Sequence, residues 1–351
     1  MTTPWRREPA EFVKGLGAWA SAKVGPDASV TDVGAPENGM ANETVLFSVD
    51  GERYVARLGP LPTSPYPTFP SYDLEHQRRC MELVRAHSEV PVPQVVHIEM
   101  DPEWLGAPFL VLQRVDGLVP SDSPPYVFTG WLFEATPDQR QRLEDSSVRT
   151  LVHLHRITPE IADLSFLVGP DVGATAIEQQ LDYQRKYYEW AREDLVVPII
   201  EEAFEVLTAT RPTPSRTTLN WGDSRIGNIL YRDFEPAAVL DWEMATLGPP
   251  ETDLGWMTFF HSFFQFMATS HGLPGISDFL DRDRAVATYE RLAGHALDGL
   301  GWYEAFAALR FAIISIRTSL RSIAFGQVDK PDDPDGFIMY LPLFRRLLKE
   351  V

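Results

Sequence analysis

The stretch LNWGDSRIGNILYRDFEPAAVLDWEMATLG, residues 219–248, decides how this chain is to be read. It sets Asp223, Asn228 and Asp241 close together, two of them beside short apolar runs. Acidic and amide side chains ordinarily sit in turns or in water. Here Asp223 follows Gly222, and Asp241 ends the apolar run Ala237, Ala238, Val239, Leu240. A carboxylate delivered by the end of a buried strand is costly unless it has a cation or a donor to hold. The spacing D-x-x-x-x-N, followed by an aspartate eighteen residues beyond the first, offers a proton acceptor and two oxygen donors. Phosphoryl transfer asks for an aspartate that orients the attacking hydroxyl and takes its proton, and for ligands that hold Mg2+ against nucleotide phosphates. Mg2+ uses one or two protein oxygens, with phosphates and water completing its octahedron. A lone D-x-x-x-x-N match is better explained by Asx turns about a hairpin. The joint pattern WGDxxxxNIL, then VLDWE, then GPPETDL is much harder to obtain by chance.

Working outward, the chain has 351 residues, enough for two domains or one bilobed one. With 44% hydrophobic residues it can bury a sizeable core. Its formal net charge of −19 argues against DNA or RNA as partner, because phosphate binding needs a basic face. The same charge suits a cationic ligand or simply a well-solvated surface. One cysteine, Cys80, allows no intrachain disulfide. The opening MTTPWRREPAEF lacks a signal-type apolar run, and the most apolar late segment, residues 305–316, is interrupted by Arg310 and too short to span a bilayer. The expectation is a cytoplasmic protein without a membrane partner.

Residues 11–23 have helical character; Gly15 and Gly17 there do not make a dinucleotide loop, since no strand precedes them. Residues 43–58 form two β-rich runs about Asp50-Gly51, a pair suited to a type I′ hairpin turn. A Pro-rich link leads to a helix at about 72–87, and residues 94–99 and 108–115 read as strands. After Asp116-Gly117 the character changes. Residues 139–155 and 177–207 read as helices by apolar spacing, residues 219–247 as loop and strand, and residues 253–351 as mostly helical. The fold class is therefore α+β in two lobes: a β-rich lobe, residues 1–115, and a larger, mostly helical lobe, residues 116–351. His153 and His155, two apart on one helix, cannot share a metal from one face. The aromatic run 256–266 reads as helix core rather than a stacking platform, and Trp302 with Tyr303 as core or, alternatively, as lining of a substrate cleft.

The joined motifs make the chain resemble the aminoglycoside phosphotransferase and choline kinase-like family, which shares the protein-kinase-like fold. Within it the chain is similar to the subgroup whose kinase-like domain is fused to acyl-CoA dehydrogenases, through NETVLF (42–47) and YVAR (54–57). The resemblance implies Asp223 as catalytic base, Asn228 and Asp241 as Mg2+ ligands, Glu243 as an accessory acidic group, and Asp253 as a structural brace of the catalytic loop. Gly39, Ala41 and Asn42 correspond to the family's loop over the phosphates, and Gln113 and Val115 to the linker that reads the nucleotide base. VPVP (90–93) and LVHLH (151–155) extend the match.

Three departures stand out. Trp221 replaces the motif histidine. No lysine lies between Lys23 and Lys186, so Arg57 is the candidate for the phosphate-contacting cation. The helix glutamate that should partner that cation aligns with Gln77, with Glu75 as the alternative. The expected activity is ATP-dependent, Mg2+-requiring transfer of a phosphoryl group to a hydroxyl of a small molecule. GTP stays open, as does the acceptor: an aminoglycoside, another metabolite or an acyl-CoA. A nucleotide-binding pseudokinase acting as an interaction module is the alternative, and the intact Asp223, Asn228 and Asp241 count against it.

Overall fold

The computed structural model describes residues 7–34, 43–60, 65–168, 175–214 and 216–351. Gly39, Ala41 and Asn42 lie outside the described residues. Helix α1 (Pro9–Lys23) starts at a capping box, with Glu8 and Glu11 each accepting from the other's backbone, and has Pro at its first turn. Strand β1 (Val30–Gly34) follows. Then Asp50 and Gly51, both at positive φ (51° and 87°), turn β2 (Glu43–Val49) into β3 (Glu52–Leu58). The register runs unbroken from Val49↔Glu52 to Glu43↔Leu58, as a two-residue turn dictates. Helix α2 (Leu74–His87) is capped by Asp73, and β4 (Val95–Glu99) and β5 (Phe109–Gln113) complete an antiparallel sheet of order β1-β2-β3-β5-β4. Strand β1 is missed by the sequence reading because VTDVG is short and its exposed Asp32 interrupts the β-branched residues.

Alternation on the strands decides what each face meets. Phe109 and Val111, with Val45, Phe47, Ala56 and Leu58, face α1 and pack on Phe12, Leu16, Trp19 and Ala20. Each large side chain so buried contributes on the order of 2 kcal/mol. Leu110 and Leu112 face the other way, onto Cys80, Met81 and Val84 of α2 and into a core continuous with the helical lobe. Val55 packs against that second core. Arg57, two residues on, shares its face and looks toward the cleft between the lobes.

The second lobe comprises α3 (Trp131–Glu134), α4 (Pro137–Leu154), α5 (Ala176–Ala191), α6 (Pro198–Ala209), the short strands β6 (Thr218–Asn220), β7 (Ile229–Arg232), β8 (Glu235–Val239) and β9 (Thr246–Gly248), then α7 (Glu251–Ser270), α8 (Arg282–Ala293), α9 (Leu300–Ala324) and α10 (Leu341–Lys349). The single helix expected over 177–207 is two. Pro198 takes the first turn of α6, where a missing N–H is harmless. Glu193 adopts positive φ before it, and the Val197 N–H donates to the Tyr188 hydroxyl at 2.9 Å. The core of the lobe is the α7–α9 contact, where Phe260 and Phe263 meet Phe311, with Tyr340, just before α10, packed on Phe259 and Phe263. Trp302 and Tyr303 are buried in it.

The Val239 N–H donates to the Pro91 carbonyl at 2.7 Å, from one lobe to the other, and just past the link Leu118 is held to Tyr231 of β7 by an exchange of backbone hydrogen bonds of 2.8 Å. Among the described residues no helix is long and apolar enough to cross a membrane.

Candidate active site

Asp223 sits on the loop between β6 and a 3-10 turn over Ile226–Asn228. Gly222, at φ +89°, makes that loop possible: a Cβ there would lie 1.9 Å from the Met244 carbonyl oxygen. The loop is held from behind by Asp253 of α7. Its Oδ2 accepts from the Trp221 N–H at 2.7 Å, its Oδ1 from the Gly222 N–H at 2.9 Å, and its carbonyl from the Ser224 hydroxyl at 2.8 Å. His155, at the end of α4, reaches Asp253 at 3.1 Å and the Tyr289 hydroxyl at 2.9 Å. It is thus a support for the brace, a role its LVHLH context gave no sign of.

Trp221 fills the place of the motif histidine as a fully buried side chain. Its Nε1 donates to the carbonyls of Leu240 and Asp241 at 2.7 and 3.2 Å, and its ring packs on Trp242. The indole therefore joins the loop of Asp223 to the segment of Asp241. Asp241 lies two residues beyond the end of β8, in a left-handed turn at φ 60°.

The carboxylate of Asp223 is surrounded by donors. Oδ2 accepts from Asn228 Nδ2 at 2.7 Å; Oδ1 accepts from Trp256 Nε1 at 2.9 Å; Arg225 Nε straddles the two oxygens at 3.1 and 3.3 Å. Arg225 also pairs with Asp122, from the irregular segment after the link. Burial opposes the Arg225 charge, but Asp223, Asp122 and Asp241 together hold its guanidinium above the usual arginine range. Burial pushes the Asp122 carboxyl up, against the pull of Arg225.

From the other lobe, Arg57 places Nη1 at 2.5 Å from Asp241 and Nη2 at 3.7 Å from Glu243. Burial works against its charge, and these two carboxylates more than offset it. Glu243 is pushed up to about 8, by burial first and then by Asp241, with Arg57 pulling it down. The expected helix partners of Arg57 are corrected. Glu75 turns outward to Arg78 at 2.8 Å, on the face that α2 shows to solvent, and Gln77 is buried with its Nε2 unmatched. The charge that balances Arg57 comes instead from Asp241 and Glu243, across the cleft.

At the link, the Gln113 N–H donates to the Gln94 carbonyl at 2.9 Å. Val115 lies two residues on, half-buried. The structure thus brings Asp223, Asn228, Asp241, Glu243 and Arg57 together. It adds Arg225, Asp122, Trp256 and His155, which pattern reading had assigned no role. Nothing in an aromatic run such as 256–266 tells which ring points an N–H at a carboxylate.

An antiparallel five-stranded sheet over a mostly helical lobe, with this cluster between them, is the protein-kinase-like fold. A structure of a Ralstonia eutropha protein assigned to the aminoglycoside phosphotransferases superposes with a TM-score of 0.69 at 22% identity, covering 95% of this chain and 96% of that one. A thermostable mutant of aminoglycoside phosphotransferase APH(4)-Ia, in ternary complex with AMP-PNP and hygromycin B, superposes at 0.59 with 17% identity, covering 95% and 98%. The phosphotransferase enzyme family model matches residues 32–306, and the chain belongs to that family. Mouse acyl-CoA dehydrogenase family member 10 is 28% identical over 224 residues, 63% of this chain but 19% of its own length. The chain thus spans about a fifth of that relative.

Proposed function

We propose that the protein transfers the γ-phosphoryl group of ATP, held with Mg2+, to a hydroxyl group of a small molecule. The observation that carries the reading is the convergence of Asp223, Asn228 and Asp241 on one side of a cleft with Arg57 on the other. The ternary complex of AMP-PNP and hygromycin B with a protein of the same fold supports binding of a nucleotide and a small molecule together.

The donor set fits Mg2+. All candidates are oxygens: the Asn228 amide nitrogen is committed to Asp223, which leaves its carbonyl oxygen, and two carboxylates converge on one guanidinium. No group of three or more His, Cys, Asp or Glu side chains among the described residues is arranged to hold a metal by itself. A hard cation that takes one or two protein oxygens and completes its shell with substrate phosphates needs no such cage. Asn228 and Asp241 would hold it, with Glu243 beside them. When bound, it neutralises charge on the phosphate oxygens.

The chain's own residues then have separate tasks. Asp223 accepts the proton of the acceptor hydroxyl as its oxygen bonds to the γ-phosphorus and the bond to the bridging oxygen breaks, releasing ADP. Asn228 and Trp256 hold the two carboxylate oxygens of Asp223 from opposite ends. Arg57 offers a two-pronged, permanently charged group to the phosphates. Main-chain groups at Gln113 and Val115 would read the base, and Gly39, Ala41 and Asn42 would cover the phosphates. The test is a nucleotide-consumption screen with Mg2+ over hydroxylated compounds, aminoglycosides included, with Asp223→Asn as control. Consumption that no acceptor stimulates, or that survives in the control, refutes the proposal.

A further inference from the structure

Arg310, on α9, is 4% exposed and sits in the wall behind the loop of Asp223. Its Nη2 donates to the Gly222 carbonyl at 2.9 Å. Its guanidinium lies 4.2 Å over the Trp256 ring and 5.9 Å from the Phe306 ring. Trp256 is the residue whose Nε1 donates to Asp223 Oδ1 at 2.9 Å. Gly222, the residue before Asp223, is therefore gripped at both ends, its N–H by Asp253 and its C=O by Arg310. The carboxylate itself is held by an indole that the same guanidinium covers.

We propose that Arg310 is a positioning residue for Asp223, fixing the orientation of that carboxylate through Trp256 and the Gly222 carbonyl. A packing role alone does not explain a guanidinium here. Replacing a buried ion by an apolar side chain of similar volume is often neutral or stabilising. Burial pulls Arg310 down to about 10 in spite of Asp253 and Asp223, and its Nε has no hydrogen-bond partner. The site thus tolerates an incompletely satisfied cation. What that cation gains is a flat, charged surface matched to an indole and a donor aimed at one carbonyl. Both contacts end on the residue whose placement the transfer depends on, where an error of about 1 Å can lower a rate on the order of 100-fold.

The inference rests on Asp223 being the base, so its test carries two independent readouts. The chain has nine tryptophans, hence nine indole N–H signals in a 15N-labelled sample, and Trp256→Phe identifies the relevant one. Asp223→Asn should move the Trp256 indole signal. Arg310→Met should move the same signal in the same direction, with Arg310→Lys in between. In steady-state assays Arg310→Met should lower kcat by about 10- to 100-fold with nucleotide KM changed less than about twofold, and Arg310→Lys should recover part of the loss. A folded Arg310→Met protein with the parental indole signal and parental kcat overturns the inference. If Arg310→Met does not fold, Arg310→Lys decides by the same two criteria. Should the parent chain phosphorylate no acceptor, the proposed activity fails, while the indole signal still decides whether Arg310 positions Asp223.

Discussion

Replacing Arg57 by Met removes a guanidinium that reaches from the β-rich lobe into the carboxylate cluster. The guanidinium pairs with Asp241 at 2.5 Å and Glu243 at 3.7 Å, with side-chain exposures of 15%, 22% and 12%. At a charge separation of about 4 Å and an effective dielectric of about 20, one such attraction amounts to about 4 kcal/mol. Desolvation of the guanidinium, the largest influence on Arg57, opposes it. Truncating one member of a fully buried pair costs about 3–5 kcal/mol, and the partial exposure here puts the loss nearer 2 kcal/mol. In urea denaturation without nucleotide, Arg57→Met should therefore lose about 2 kcal/mol. Its transfer activity should fall more than about tenfold, equivalent to about 1.4 kcal/mol of transition-state stabilisation. Arg57→Lys should keep part of the activity, because charge survives while the two-pronged geometry does not. An Arg57→Met protein with parental kcat and nucleotide KM would show that another cation holds the phosphates.

Asp223→Asn keeps shape but removes the proton acceptor, so transfer should fall by about 10²–10⁴-fold while nucleotide affinity stays nearly unchanged; transfer within a few-fold of the parent, with the fold verified, removes Asp223 from that role. Asp241→Ala should lose Mg2+-dependent nucleotide binding and Asn228→Ala should weaken it less, since a carboxylate ligand is harder to replace by water than an amide; calorimetric titration showing parental binding in Asp241→Ala would put the metal elsewhere. Gly222→Ala must hold φ near +89° and place its Cβ against the Met244 carbonyl, so a loss of at least about 2 kcal/mol is expected in denaturant unfolding. Parental stability there would mean that the loop approaches Met244 less closely than described.

Much of the fold was legible because the signals are local. Asp50-Gly51 specifies its turn through the φ each residue accepts, and the alternation around it assigns Ala56 to the core under α1 and Arg57 to the cleft. The break between α5 and α6 was also local in cause, yet it was read through, because the apolar spacing on either side of Pro198 outweighed one proline.

By itself the sequence determined which oxygens the chain could assemble: Asp223, Asn228 and Asp241 lie within one loop-and-hairpin segment, and short spacings hold their meaning whatever surrounds them. Only the tertiary structure decided what steadies them. Arg57 finds Asp241 and Glu243 rather than a residue of α2, because the strand face that carries it opens on the other lobe. His155, Trp256 and Arg310 come from α4, α7 and α9 and reach the loop through Asp253, Asp223 and Gly222. Contacts between residues dozens of positions apart leave no period and no motif in a chain. They exist once the helices have packed, and packing is settled by the summed burial of many apolar side chains, not by any residue of the site.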